Sequence, residues 1–360
     1  MYVITNREIV KNKNGLRQFG KRPNSEGANE LRVAEIKKSG NSWDVRVLAN
    51  KLAKSTAANL IKKYKLPLNP EEQHYASLKV ACAVADEARK NKKHVLFFVH
   101  GFNNDMKDIV TRAWDLESRF DVVCLVFSWP ANGGGVISGT ASYKSDKRDA
   151  RASAGALERT LMIVHRYFQM LTEANRKRLY ELALSRHRDN AIKRDEEYAE
   201  LLEKNCPFTV NAMFHSMGNY LLKQTLKSSI SEGNSLTFDN IILAAPDTNN
   251  KDHHRWVGKL GFRGRCFVAI NEKDFALAAS RAKGGSEQLA RLGHYLRNLT
   301  ASNAHYINFT GVKHVGRSHG VFGKPSAENP DIHAFFQSAF RGDPAETQLQ
   351  YNASGNWYDF

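Results

Sequence analysis

Two kinds of apolar pattern alternate along the chain. Val95-Leu96-Phe97-Phe98-Val99 and Val122-Val123-Cys124-Leu125-Val126-Phe127 are unbroken apolar runs, the pattern of strands buried on both faces. Around them apolar residues recur at helical spacing. Helices are predicted over Glu71 to Lys90, where Ala76, Val80, Val84 and Ala88 are four residues apart, over Met106 to Phe120, and from about Asp146 to Leu171. Further strands are predicted at Tyr2 to Thr5, Phe208 to Met213, Asn240 to Ala245, Arg265 to Ile270 and His305 to Phe309, with helices at Tyr220 to Ser229 and Asp331 to Phe340. Leu31 to Ile36 and Trp43 to Leu48 alternate around Ser39-Gly40-Asn41 and predict a β-hairpin. Such alternation of strand and helix is the mark of a mostly parallel central sheet covered by helices on both faces.

Three stretches fall outside that rhythm. The Lys-, Gly- and Asn-rich segment to about Gly27 and the tail from Arg341 read as irregular, and Lys51 to Lys65 reads as a basic region ahead of Pro67 and Pro70. Residues 172–205 are densely charged in both signs and nearly free of β-branched residues, which predicts a helical insertion, either a cap or a solvated excursion. No internal repeat is evident. Residues 1–360 are read as one domain, with a basic N-terminal part at 1–93 and the core at 94–340.

Composition narrows the class. The aliphatic and aromatic content is that of a globular chain, and no segment approaches the ~18–20 uninterrupted apolar residues of a membrane span. The amino terminus reads as a strand and not as a signal peptide. Cys82, Cys124, Cys206 and Cys266 are widely separated, so buried thiols in a reducing compartment are expected, with the cytoplasm as the default. The net charge of +16 is uneven: residues 1–93 carry 20 Lys and Arg against 9 Asp and Glu, the remainder 33 against 28. That basic end is either a solvated surface or an attraction for nucleic acid or anionic membrane. No helix-turn-helix, zinc-finger or RNA-recognition pattern accompanies it.

The candidate chemistry centres on Ala212-Met213-Phe214-His215-Ser216-Met217-Gly218-Asn219-Tyr220. A serine on a tight turn between a strand and a helix has its hydroxyl pushed out at the top of the sheet, the geometry of a nucleophile elbow. The competing reading is an ordinary helix-capping serine. A neutral serine needs an imidazole to take its proton and a carboxylate to orient the imidazole. After the following strands the chain offers Asp247 and then Asp274 as the carboxylate, and His314 or His319 as the base. Asn132-Gly133-Gly134-Gly135 lacks the Gly-Lys-Ser/Thr of a phosphate loop, and Asp252-His253-His254 reads as surface and not as a metal site.

Thr5-Asn6-Arg7, His100-Gly101-Phe102-Asn103, Ser128-Trp129-Pro130, His215-Ser216-Met217-Gly218-Asn219 and Ala244-Ala245-Pro246-Asp247 occur in this order, followed by the acidic and histidine loops. In these pieces, which span nearly the whole chain, the sequence resembles the α/β hydrolases, in particular a bacterial esterase- and lipase-like branch of unknown function. The resemblance implies an α/β-hydrolase fold with Ser216 as nucleophile, Asp274 as acid and His319 as base. Asp247 and His314 are the reserves. It also implies an oxyanion hole built from the backbone N–H groups of Phe102 and Met217, with His100, Gly101, Asn103, His215 and Gly218 lining the site. Asn104 is a loop or substrate contact. One position departs from the family pattern: Phe214 stands where a small residue normally lets strand and helix approach.

The expectation is a serine hydrolase that cleaves a carboxylic ester or thioester through an acyl-enzyme, with no metal or cofactor. Its substrate would be a small-molecule or lipid-like acyl compound, with no obligate protein partner. The alternatives are a non-catalytic scaffold of the same fold and a binding protein for nucleic acid or anionic membrane.

Overall fold

A computed structural model describes residues 1–131, 139–205, 208–227, 237–282 and 290–360. In chain order the strands are β1 (Tyr2–Thr5), β2 (Arg7–Ile9), β3 (Phe19–Pro23), β4 (Arg32–Ser39), β5 (Ser42–Val47), β6 (His94–Val99), β7 (Val122–Ser128) and β8 (Val210–His215). They are followed by β9 (Ile241–Ala244), β10 (Cys266–Ile270), β11 (His305–Asn308), β12 (Gln350–Asn352) and β13 (Trp357–Asp359). Eleven of them form one sheet in the order β12-β13-β11-β10-β9-β8-β6-β7-β1-β4-β5. From β13 through β11, β10, β9, β8, β6 and β7 to β1 every neighbour is parallel, and antiparallel pairs occur only at the two edges.

The central strands are mostly apolar because both of their faces are covered. Val95, Phe97 and Val99 of β6 pack with the helices Ala76–Lys90, Ala154–Arg186 and Met217–Thr225. Leu96 and Phe98 point the other way, onto Met106–Arg119 and Pro330–Arg341. The period of two along the strand thus splits one run of residues between two cores. Topology then fixes the position of the candidate site, since the loops after β6, β8, β9, β10 and β11 all emerge at the carboxyl end of the parallel sheet.

Several sequence expectations need correction. The segment to Gly27 is not simply loop, because β2 and β3 form a small separate sheet and Gly15–Gln18 a 3-10 turn. The basic stretch contains the helix Lys54–Tyr64, whose narrow buried stripe, Ala57 and Ile61, left a weak periodic signal. The helix expected from Glu71 starts at Ala76. The one expected over Asp146 to Leu171 is two helices, Gly139–Ala152 and Ala154–Arg186, broken at Ser153. The helix after the elbow begins at Met217, and its expected end at Ser229 lies outside the described residues, as do Cys206 and Asn132-Gly133-Gly134-Gly135. The tail is ordered: β13 adds to β11, β12 to β13, and Phe360 packs on Phe309 and Phe335. Pairing partners some 50 residues away, and not local propensity, create that structure.

The charged segment 172–205 is the second half of a long helix plus its return, Ala191–Asn205. Asn6, just past the end of β1, bonds Ser153 at the start of the long helix, whereas Phe168 packs on Phe208, just ahead of β8. The helix therefore runs from the carboxyl to the amino end of the sheet. In its second half Leu171, Leu179 and Ala183 are still buried, and Glu181 pairs with Lys65 at the end of the helix Lys54–Tyr64 (2.9 Å). Tyr180 against Tyr198 and Arg186 with Glu197 hold the return helix against it. Among the described residues no helix is long and apolar enough to cross a membrane.

Candidate active site

β8 delivers the chain to Ser216, which takes φ 54° and ψ −121°, a conformation rarely tolerated by a residue with a β-carbon. Hydrogen bonds hold it there. Ser216 N donates to Ala244 O (2.9 Å), and Ser216 O accepts from Asn219 N (3.0 Å) and Asp247 N (3.2 Å). The buried Asn219 amide donates from Nδ2 to the carbonyls of Phe214, Ser216 and Ala244, at 2.7, 3.2 and 3.3 Å. Ser216 occupies the position before the helix Met217–Thr225, yet its hydroxyl makes no capping bond. Gly218 lets that helix start against β6, since a β-carbon there would meet His100 O at 2.8 Å and Val99 O at 2.9 Å. Phe214 does not open the turn: its ring is buried in the core, edge-on to Phe97.

The loop after β6 lies directly over the serine. A β-carbon on Gly101 would sit 2.7 Å from Ser216 Cβ and 3.2 Å from Ser216 Oγ. His100 is buried and stacked on Trp129, with ring centroids 5.1 Å apart. Its Nε2 accepts from Trp129 N (3.2 Å), so Nδ1 carries the proton and donates to Gly101 O (2.9 Å). Burial, reinforced by the Arg7 charge, pushes its pKa down to about 3, so the ring is a neutral brace. Asn103 has a left-handed backbone (φ 59°) and donates its N–H to Asp146 Oδ2 at 3.0 Å. Asn104 turns inward to cap Phe102 O at 2.7 Å. Beneath them Arg7, fully buried, donates to Ser128 Oγ, Gly20 O, Ala131 O and Asn104 O. The amide of Met217, first of its helix, has no intrahelical acceptor and lies at the positive end of the helix dipole.

Across the site Asp274 is wholly buried. Its Oδ1 accepts from Ala276 N (2.8 Å) and Leu277 N (3.0 Å), capping the helix Phe275–Ala282, while Oδ2 meets His319 Nδ1 at 2.6 Å. Asn271 staples the two loops, with Nδ2 donating to Gly316 O (3.2 Å) and Ser318 O (3.0 Å). His215, next to the serine, donates Nε2–H to His319 O (3.2 Å), and the two rings lie 4.7 Å apart. Burial, followed by the neighbouring His319 and Arg112, holds the His215 pKa well below its ordinary value. Among the described residues no hydrogen bond joins Ser216 Oγ to His319, a separation common in unliganded sites.

The structure therefore gathers Ser216, His319, Asp274, Gly101, Phe102, His100, His215 and Gly218 at one end of the sheet. The two reserves go elsewhere. His314 sits in a left-handed turn against Glu328 (3.5 Å), and the Asp247 carboxylate is enclosed by Tyr143, Ser280 and Arg291. His253 is not on the surface but buried between Asn250 O (2.6 Å) and Tyr306 Oη (2.5 Å), whereas Asp252 and His254 are exposed. Among the described residues no cluster of three or more His, Cys, Asp or Glu is arranged for a metal ion. Cys82, Cys124 and Cys266 are buried free thiols, and burial raises the pKa of each. Sequence reasoning missed Asn219, Asn271, Asp146 and the bracing role of Arg7. Asn219 and Arg7 stand inside quoted motifs and Asn271 three residues ahead of Asp274, whereas Asp146 carries no local signal.

No curated protein and no solved structure matches the chain. A family model described as alpha/beta hydrolase of unknown function (DUF900) matches residues 79–194 and 195–338, which include the elbow, the loop before it and both loops of the Asp274–His319 pair. The chain belongs to that family of α/β hydrolases.

Proposed function

We propose that the protein is a serine hydrolase that cleaves carboxylic esters or thioesters. One contact carries the reading: the 2.6 Å pairing of the buried Asp274 carboxylate with His319 Nδ1, at the same end of the sheet as the strained Ser216. A carboxylate on Nδ1 fixes the tautomer and leaves Nε2 to accept a proton. Ser216 Oγ attacks the acyl carbon as its proton passes to His319. The oxyanion is met by the N–H groups of Phe102 and Met217, and the leaving alcohol or thiol departs with the proton from His319. Water repeats the sequence on the acyl-enzyme, releasing the acid and restoring Ser216. The dense bonding behind the serine supports the same reading, because strain of this kind persists only where the surroundings enforce it.

The test is reaction with a fluorophosphonate probe followed by peptide mass spectrometry. Modification at Ser216, absent from Ser216→Ala, is the expected result. A folded sample that stays unlabelled would favour the scaffold reading instead.

The charge distribution supports a companion reading, in which the enzyme meets an acyl substrate at an anionic surface in the cytoplasm. The exposed Lys54, Lys62, Lys63 and Lys65 on one short segment belong to that basic end. Binding to anionic vesicles that weakens steeply with salt and is unchanged by Ser216→Ala is expected, and salt-independent binding would remove this reading.

A further inference from the structure

Beside the elbow lies a second buried polar cluster that acyl transfer does not use. The Asp247 carboxylate accepts from Tyr143 Oη (2.9 Å) and Ser280 Oγ (2.7 Å) and pairs with Arg291 Nε (3.1 Å). Asp247 and Arg291 are both buried, with side chains 3% and 2% exposed. A buried ion pair is weak evidence for stability, because apolar residues of similar volume do as well or better. What distinguishes this one is what its members touch.

Each partner leads to a different piece of the catalytic apparatus. Asp247 N donates to Ser216 O, so its main chain braces the nucleophile. The Tyr143 ring meets the Phe102 ring edge-on, with centroids 5.5 Å apart. Ser280 lies on the helix Phe275–Ala282, whose first turn is capped by Asp274. Arg291 begins a segment that ties the loops after β9 and β10: Leu292 N donates to Thr248 O, Gly293 N to Pro246 O and Asn271 N to Gly293 O. The loop itself is strained, with Ala245 at φ 44°.

We propose that Asp247 is a positioning residue, the common tether that fixes nucleophile, oxyanion loop and acid relative to one another. The proposal rests on the serine-hydrolase reading. Asp247 holds Phe102 through Tyr143, the Asp274 helix through Ser280, and Ser216 through its own amide. Its charge selects one arrangement of the three hydroxyl and guanidinium partners, which fixes register in a way that an apolar cluster would not. Burial and the Asp247 charge both raise the Tyr143 pKa, so the phenol remains a donor over the working range.

The experiment compares Asp247→Asn, Tyr143→Phe, Tyr143→Ala and Ser280→Ala with the wild type. It measures steady-state hydrolysis of a short p-nitrophenyl ester, the second-order rate of fluorophosphonate labelling, and the melting temperature. Misplacement of reacting groups by about 1 Å lowers rates by ~10²-fold. Asp247→Asn and Tyr143→Ala are expected to lose 10- to 100-fold in kcat, by that estimate, with little change in KM and a parallel loss of labelling. Tyr143→Phe keeps the ring against Phe102 and is expected to lose less. A merely structural cluster would lower the melting temperature and leave kcat and labelling unchanged well below it, which overturns the proposal. Failure of even Tyr143→Phe to fold would assign the cluster to stability and overturn it too. If the wild type itself resists the probe, the hydrolase reading falls and takes this one with it. Variants that label at the wild-type rate sink only the tether.

Discussion

Gly101 offers the most direct test of how tightly the loop after β6 is fitted to the serine. Its substitution by alanine adds one methyl group at a position whose backbone is not among those with positive φ, so no conformational strain accompanies it. The new β-carbon would stand 2.7 Å from Ser216 Cβ, 3.2 Å from His215 O and 3.2 Å from Ser216 Oγ. Non-bonded carbons come to rest at ~3.5 Å or more, so the loop and the serine must separate by about 0.8 Å. Two of the three obstacles belong to Ser216, which is pinned by hydrogen bonds to Ala244, Asn219 and Asp247, so the 100–104 loop is the part that yields. In the proposed mechanism that motion carries the Phe102 amide away from the oxyanion position. Loss of one oxyanion donor costs roughly 10²–10³-fold in kcat, and a shift of this size should approach the lower figure. The assay is the second-order rate of fluorophosphonate labelling, followed at a temperature where circular dichroism finds both proteins folded. Gly101→Ala labelling within threefold of the wild type would refute the reasoning, since the methyl group would then have been absorbed without moving either catalytic piece.

Asp274→Asn separates the two tasks of that residue: Asn Oδ1 can still accept from Ala276 and Leu277, but an amide N–H₂ cannot accept from His319 Nδ1. Ester hydrolysis should fall about 10³–10⁴-fold with melting nearly unchanged, and a loss under tenfold would count against Asp274 as the acid. Arg7→Met removes the donor to four interior oxygens, at about 1–3 kcal/mol for each group left unpaired, so urea unfolding should register several kcal/mol. A change below about 1 kcal/mol would mean that Arg7 does not brace the loop. For acid stability the sign follows from His100, whose pKa falls from 6.5 to about 3 on folding. Between those values the unfolded chain binds the extra proton, so the contribution is complete above pH ~6.5 and is lost as the pH drops through the window. At pH 4.5 the loss from this residue is about 3 kcal/mol, and His100→Asn should flatten the stability slope between pH 6 and 4.5 by about one proton, as read by urea titration. Equal slopes would show that the ring is not the group responsible.

The parts of the fold legible in the sequence were those written locally. β6, β7, β8 and β9 are apolar on both faces because each lies inside the sheet, so their runs stand out without knowledge of their neighbours. The elbow was legible because strand, turn residue and helix are contiguous in Met213 to Tyr220. What escaped was structure made by distant partners: β12 and β13, three residues each, exist because β11 offers an edge, and β2 exists because β3 returns to it. The same division runs through the site. Ser216 and His100 carry motifs, whereas the choice between Asp247 and Asp274, or His314 and His319, depends on which side chains the loops turn inward. Asp247 is drawn away by Tyr143, Ser280 and Arg291, residues up to 104 positions distant, and no spacing rule could reveal that.

The bond from Ser216 N to Ala244 O has a consequence in time as well as in space. The turn that exposes the serine is held by a strand made after it, and His319 comes about 75 residues later still. β1 pairs with β7 more than 120 positions on. A chain of such long-range pairings folds late and cooperatively. The growing polypeptide would thus carry the serine through synthesis in an unstrained and unreactive form. Reactivity would arrive only with the last native contacts, so the rate at which Ser216 becomes labelled during refolding would serve as a clock for the final step of folding.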